Sequence, residues 1–161
     1  MGVLAKLVPA GNVVLDLDVA SKKRLFEHAG MLFEAQSRLA HSQVYDALFA
    51  RERLGSTGLG HGIAIPHGRI KGLKEATGAF LRLRTAIPFE APDGKPVNLI
   101  FVLLVPEKAN EQHLLILSEL AEMFSERDTR AQLTDAQDAQ HARTVIAEWE
   151  PHAPSQHRAT V

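Results

Sequence analysis

VNLIFVLLV, residues 97–105, is the stretch on which the fold turns. Its apolar side chains occupy odd and even positions alike, so a strand here must be covered on both faces, and Pro106, with no N–H to donate, ends it. Such a strand needs layers above and below, and the neighbouring sequence supplies them. Upstream, GAFLRLRT at 78–85 alternates Phe80, Arg82 and Arg84 against Ala79, Leu81 and Leu83, the pattern of a strand with one buried face. Between the two strands, IPFEAPDGKP at 87–96 is turn chemistry, with three prolines and an Asp-Gly pair. Downstream, a helix over 110–126, N-capped by Asn110, places His113, Ile116, Leu117, Leu120 and Phe124 on one face. A last helix over 138–150 offers Val145, Ile146 and Trp149 for packing, and residues 151–161, PHAPSQHRATV, read as a flexible tail. Toward the N-terminus residues 12–17 alternate weakly, and Ser21 caps a helix carrying Leu25, Ala29, Leu32 and Phe33. A helix from Ser42 to about Arg53 then puts Val44, Leu48 and Arg51 on one stripe, with Gly55 just past its end. Helices interleaved with strands predict an α/β (α+β) single compact domain over residues 1–150, with helices covering a mixed sheet.

Composition narrows the function classes. A chain of 161 residues, 45 % apolar and 23 % charged, is an ordinary globular domain. Eighteen Lys and Arg against nineteen Asp and Glu leave a net charge of −1, which gives no footprint for nucleic acid or an anionic membrane. The longest strongly apolar run, Leu99 to Val105, is far short of the ~18 residues a membrane span needs. The opening MGVLAKLVPAGNVV has no apolar core followed by a cleavage site, and Lys6 stands where a myristoylation motif requires Ser or Thr, so a cytoplasmic protein is expected. With no cysteine, disulfides, thiolate metal sites and cysteine nucleophiles are all excluded. The eight histidines are left as the titratable groups of interest.

Chemistry is expected in GSTGLGHGIAIPHGRIKG, residues 55–72, a loop too rich in glycine for a helix, with a brief strand only at 63–65. His67 stands between Pro66, which restricts φ, and Gly68, which relaxes it, so its imidazole is presented at a defined place. A neutral histidine nitrogen can attack phosphorus directly, and phosphoryl transfer needs mainly positioning and stabilisation of spread negative charge. The surroundings offer such stabilisers: amides beside Gly55, Gly58, Gly60 and Gly62, hydroxyls of Ser56 and Thr57, and the guanidinium of Arg51. His113, partly buried in the first turn of its helix, could donate to a phosphoryl oxygen or to His67. Each residue also has a plainer reading: a surface turn histidine, a satisfied core histidine, and an arginine complementing a helix C-terminus. The glycines lack the Lys-Ser/Thr of a P-loop, which excludes nucleotide binding by that device.

Arg51 to Arg69, RERLGSTGLGHGIAIPHGR, resembles the phosphorylation-site segment of the enzyme IIA domains of the bacterial phosphoenolpyruvate-dependent sugar phosphotransferase system, fructose and mannitol superfamily, nitrogen-regulatory type. The resemblance continues through LLVPEKANEQHLLILSELA at 103–121 and spans residues 5 to 150. It implies a mixed sheet of about five strands, a phosphoryl group carried by His67 at Nε2, His113 packed nearby, and Arg51 holding the phosphoryl group within surroundings formed by Ser56, Thr57, Gly62 and Gly68. His61 stands where many nitrogen-type members have Asn, and adds a third ring of undetermined role. The implied donor is a histidine phosphocarrier protein, and the implied partners are regulatory targets such as potassium-uptake systems or sensor kinases, with no fused IIB or IIC domain. No cofactor, nucleic acid or membrane insertion is implied. Two alternatives stay open: a metal-dependent hydrolase ligated by His61, His67 and His113, and a binding module in which phosphorylation is vestigial. His28, His41, His141, His152 and His157 are expected to be exposed bystanders.

Overall fold

A computed structural model describes residues 3–108 and 111–151. Two turns of 3-10 helix (Val3–Lys6 and Ala10–Asn12) lead into β1 (Val13–Leu17), α1 (Lys22–Ser37) and α2 (His41–Glu52). Three short strands follow, β2 (Gly58–Gly60), β3 (Ile63–Ala64) and β4 (His67–Ile70), then two long ones, β5 (Thr77–Ile87) and β6 (Val97–Pro106). Helices α3 (Glu111–Ser125), α4 (Arg127–Asp135) and α5 (Ala139–Glu148) complete the chain.

The sheet is mixed, in the order β1-β5-β6-β3-β2, with β4 also beside β6. β5 pairs antiparallel with β6 and parallel with β1. β3 and β4 both run parallel to β6 along its other edge, at Ile63↔Leu99 and then at His67↔Leu103. They are one strand interrupted at Ile65-Pro66, so six segments make five rows. β6 is central, as its doubly apolar sequence requires: Leu99, Phe101, Leu103 and Val105 enter one core with Ile116, Leu120, Phe124 and Ile146. Ile100, Val102 and Leu104 enter the other, with Leu25, Phe26, Phe33, Val44 and Leu48 of α1 and α2. Each large apolar side chain removed from water there contributes about 1.5–3 kcal/mol before the entropy of ordering it is counted.

The cap expected at Ser21 holds, its Oγ accepting from Arg24 N at 3.1 Å, and Asp138, to which the sequence reading gave no capping role, caps α5, its Oδ1 accepting from His141 N at 2.8 Å. Four features differ from the sequence reading. β5 is buried on both faces through Gly78–Leu81, because α3 to α5 cover the face that carries Phe80, and only Arg84 to Ala86 are open to solvent. α4 was not anticipated, since RDTRAQLTD buries only Thr129 and Leu133 and shows no apolar stripe. Its C-terminal carbonyls are held by Arg82, whose Nη1 donates to Leu133 O, Thr134 O and Ala136 O at 3.0, 3.0 and 2.8 Å. The loop expected over 55–72 contains β2 and β4 besides β3, so His67 opens a strand. α2 begins at His41, whose N–H is taken by Glu34 at 3.1 Å, instead of at Ser42. Asn110 and residues 152–161 lie outside the described residues, and among those described no helix is long and apolar enough to cross a membrane.

Candidate functional site

The site begins with the packing of α2 on β4. A Cβ on Gly68 would stand 2.9 Å from both the carbonyl carbon and the Cβ of Ala47, so only a residue without a side chain lets the helix lie this close to the strand. Val44 and Leu48 anchor α2 in the core beneath, and Arg51 follows on the same stripe one turn later. Its Nη1 donates to Gly55 O at 2.8 Å, which folds the guanidinium over the start of the glycine-rich segment.

His67 pairs in register with Leu103, which turns its side chain to the face carrying Leu103, Ile63 and Ile65. α3 covers that face, and His113, 7 % exposed in its first turn, lies on the stripe that continues as Ile116 and Leu120. The two histidines therefore share one face of the sheet, while Arg51 comes from the helix on the other. Among the described residues no strand flanks β4 on its outer side, and the charge of Arg51 acts on the His67 ring.

His67 Nδ1 lies 2.9 Å from the carbonyl of Ile65. A carbonyl only accepts, so Nδ1 carries the proton and Nε2 presents its lone pair. The ring's pKa is held below the ordinary 6.5, chiefly by burial and further by the Arg51 charge, against the opposing pull of the Ile65 hydrogen bond and Glu52. The ring is thereby biased toward its neutral form and oriented by a backbone carbonyl, with Nε2 as the nitrogen left to carry the lone pair.

The hydroxyls are committed within the protein. Thr57 Oγ1 donates to Glu52 Oε1 at 2.7 Å while Thr57 N donates to Glu52 Oε2 at 3.0 Å. Ser56 Oγ donates to Phe89 O at 2.6 Å and accepts from Gly58 N at 3.1 Å. His61 and Gly62, at φ of 57° and 80°, form the two-residue turn between β2 and β3. Positive φ at both positions is the signature of a type I′ hairpin, where Asn, Asp or His tolerates the first place and Gly favours the second. His61 is exposed there, its N–H bound by Asp93 Oδ2 at 3.0 Å, and a Cβ on Gly62 would meet Asn98 Oδ1 at 2.9 Å.

Among the described residues no three His, Asp or Glu side chains are placed to hold a metal ion, so His61, His67 and His113 do not assemble the three-histidine centre of the alternative metal-hydrolase reading. His28, His41 and His141 are exposed, and His152 and His157 lie outside the described residues. Sequence reasoning passed over Glu52, Phe89 and Asp93. Glu52 had a cue, because a carboxylate in the last turn of a helix opposes the helix dipole and needs a compensating partner.

Residues 6–149 match the family described as the phosphoenolpyruvate-dependent sugar phosphotransferase system, EIIA 2. The chain belongs to this family. Among its EIIA 2 relatives, the nitrogen regulatory protein of Pseudomonas aeruginosa is 38 % identical over 152 residues, covering 90 % of this chain and 95 % of that one. The nitrogen regulatory protein of Escherichia coli is 39 % identical over 131 residues, covering 81 % and 80 %. The crystal structure of nitrogen regulatory protein IIA-Ntr from Neisseria meningitidis superposes with a TM-score of 0.85 at 53 % identity, over 90 % of this chain and 99 % of that one. Mannitol-specific IIA of Escherichia coli, solved in complex with phosphorylated enzyme IIB, shares the fold at 18 % identity and a TM-score of 0.73, over 89 % and 100 %. As an EIIA 2 protein, the chain is a phosphotransferase-system component of the nitrogen-regulatory type.

Proposed function

We propose that this chain is a regulatory phosphocarrier: His67 accepts a phosphoryl group from the phosphohistidine of a small histidine phosphocarrier protein, and the phosphorylated and free forms bind regulatory targets differently. The observation that carries the reading is the hydrogen bond from His67 Nδ1 to the Ile65 carbonyl, which leaves Nε2 as the nucleophile. In the transfer the Nε2 lone pair forms the new N–P bond while the donor's N–P bond breaks and its electron pair returns to the donor ring. No proton has to leave His67, and its Nδ1–H stays on Ile65 O. Arg51 neutralises charge on the equatorial oxygens, and His113 supplies a donor from the α3 side. Gly62 and Gly68 shape the loop and seat α2 on β4, Ser56 and Thr57 hold the loop through Phe89 and Glu52, and exposed His61 marks its tip.

A regulatory output is supported by the relatives named nitrogen regulatory protein that the chain matches along most of its length. Phosphorylation adds about −1.5 to −2 charge at one open edge of the sheet, enough to make or break a protein contact there. Potassium-uptake systems and sensor kinases are the target classes we assign, the cytoplasm the compartment, and residues 1–150 the carrier unit. The test is intact-protein mass spectrometry after incubation with phosphoenolpyruvate, enzyme I and a histidine phosphocarrier. An acid-labile gain of one phosphoryl mass, absent from His67→Ala, is expected. No gain from a broad set of donors would overturn the carrier reading in favour of an unphosphorylated binding module.

A further inference from the structure

The carboxylate of Glu52 is held inside the protein, 4 % exposed, and is spent on three donors: Thr57 N at 3.0 Å, Thr57 Oγ1 at 2.7 Å and Lys22 Nζ at 3.0 Å. Lys22 is itself confined, with Glu90 at 3.3 Å and the Phe89 ring 4.4 Å below its ammonium. Burying a carboxylate at a helix C-terminus is costly on two counts, desolvation and the helix dipole, so its partners must be arranged to offset both. What it holds is one end of a chain of hydrogen bonds. Thr57, fixed by Glu52 at its N–H, accepts Ile65 N at its carbonyl, 3.0 Å away. Ile65 in turn accepts His67 Nδ1 at its own carbonyl, at 2.9 Å.

We propose that Glu52 is the positioning residue of His67, acting through Thr57 and Ile65. In many histidine sites a carboxylate touches the imidazole nitrogen directly and fixes its tautomer. Here the carboxylate stands two residues back, and the Ile65 carbonyl that orients the ring is kept in place from the buried end. Its negative charge also acts on His67, favouring the protonated ring and countering Arg51. Glu52 thus moderates a site that burial and Arg51 would otherwise make a poorer base. The inference rests on the carrier reading for its effect on rate, whereas its effect on the imidazole stands apart from that reading.

Two variants test it in the full chain. Glu52→Gln keeps an acceptor for Thr57 and removes the charge, and Glu52→Ala removes both. The His67 titration midpoint, followed by NMR of the unphosphorylated protein, should fall in both variants, and the Nδ1–H tautomer should be lost in part only in Glu52→Ala. Phosphoryl acceptance should slow about tenfold or more in Glu52→Ala and less in Glu52→Gln. Unchanged His67 midpoint and acceptance in folded variants would overturn the proposal, and so would collapse of both variants, which would assign Glu52 to the fold alone. Failure of the carrier reading would show separately, as a wild-type protein that takes up no phosphoryl group while its His67 midpoint still responds to Glu52.

Discussion

Along one edge of β6, β5 runs eleven residues and pairs with it from Thr77↔Leu104 to Ile87↔Val97, while along the other β3 and β4 supply two and four residues on either side of Ile65-Pro66. On the long edge the backbone groups satisfy one another and the side chains fill two cores. On the broken edge the strands are too short for that, and side chains take over: Glu52 holds Thr57 N, Ser56 holds Gly58 N, Asp93 holds His61 N. The interruption frees the Ile65 carbonyl from a strand partner and gives it to His67. A continuous ladder makes stability, and a ladder broken at a proline makes a place where one imidazole can be both fixed and reachable.

If the two edges are so divided, substitutions should separate activity from stability. The largest effect is expected from His67→Ala, which should abolish acid-labile labelling while moving the thermal midpoint by only about 4 °C or less. A melting shift several times larger would show that the ring supports the fold. Phe101→Ala, on the long edge and 0 % exposed, should do the reverse. It should cost about 3–5 kcal/mol in denaturant unfolding while the folded fraction still labels at His67. Arg51→Ala should slow phosphoryl acceptance by about a hundred- to a thousandfold with near-normal melting, since removing one donor to the developing charge costs that order. It should also raise the His67 midpoint, because Arg51 opposes protonation there. Normal kinetics in this variant would return Arg51 to the status of a helix-end cation. Gly62→Ala, at φ of 80°, should destabilise by about 1–2 kcal/mol, read as a shift in urea midpoint, and no shift would mean the hairpin turn is not as described.

The smallest expected effect is in pH. His67 has a folded pKa below its ordinary 6.5, so the native state binds fewer protons than the unfolded one. The stability this contributes is present above the unfolded pKa and is lost as pH falls from there through the folded value. Wild type should accordingly lose more urea stability than His67→Gln between about pH 7 and about pH 5, and parallel losses would contradict the assignment.

The long edge was legible because its information is local: VNLIFVLLV has no polar face to expose, whatever its partners. HGRI at 67–70 has neither alternation nor a run of β-branched residues, and becomes a strand because β6 offers it a ladder. α4 was hidden for a similar reason, since its anchor is Arg82, fifty-one residues or more before the carbonyls it holds. In the site, His67, Arg51 and His113 stand out by position in the motif. The hydroxyls of Ser56 and Thr57 do not announce their direction, because the groups that claim them, Phe89 O and Glu52, are 33 and 5 residues away. Sequence exposes the candidate groups of the site more readily than the distant ones that hold them still.

The central claim, that the break at Ile65-Pro66 pins Nδ1 and offers Nε2, is tested most directly by long-range proton–nitrogen NMR of the His67 ring before and after phosphorylation. The account predicts the Nδ1–H tautomer in the free protein and the phosphoryl group on Nε2 in the modified one. An Nε2–H tautomer, or a phosphoryl group on Nδ1, would contradict it.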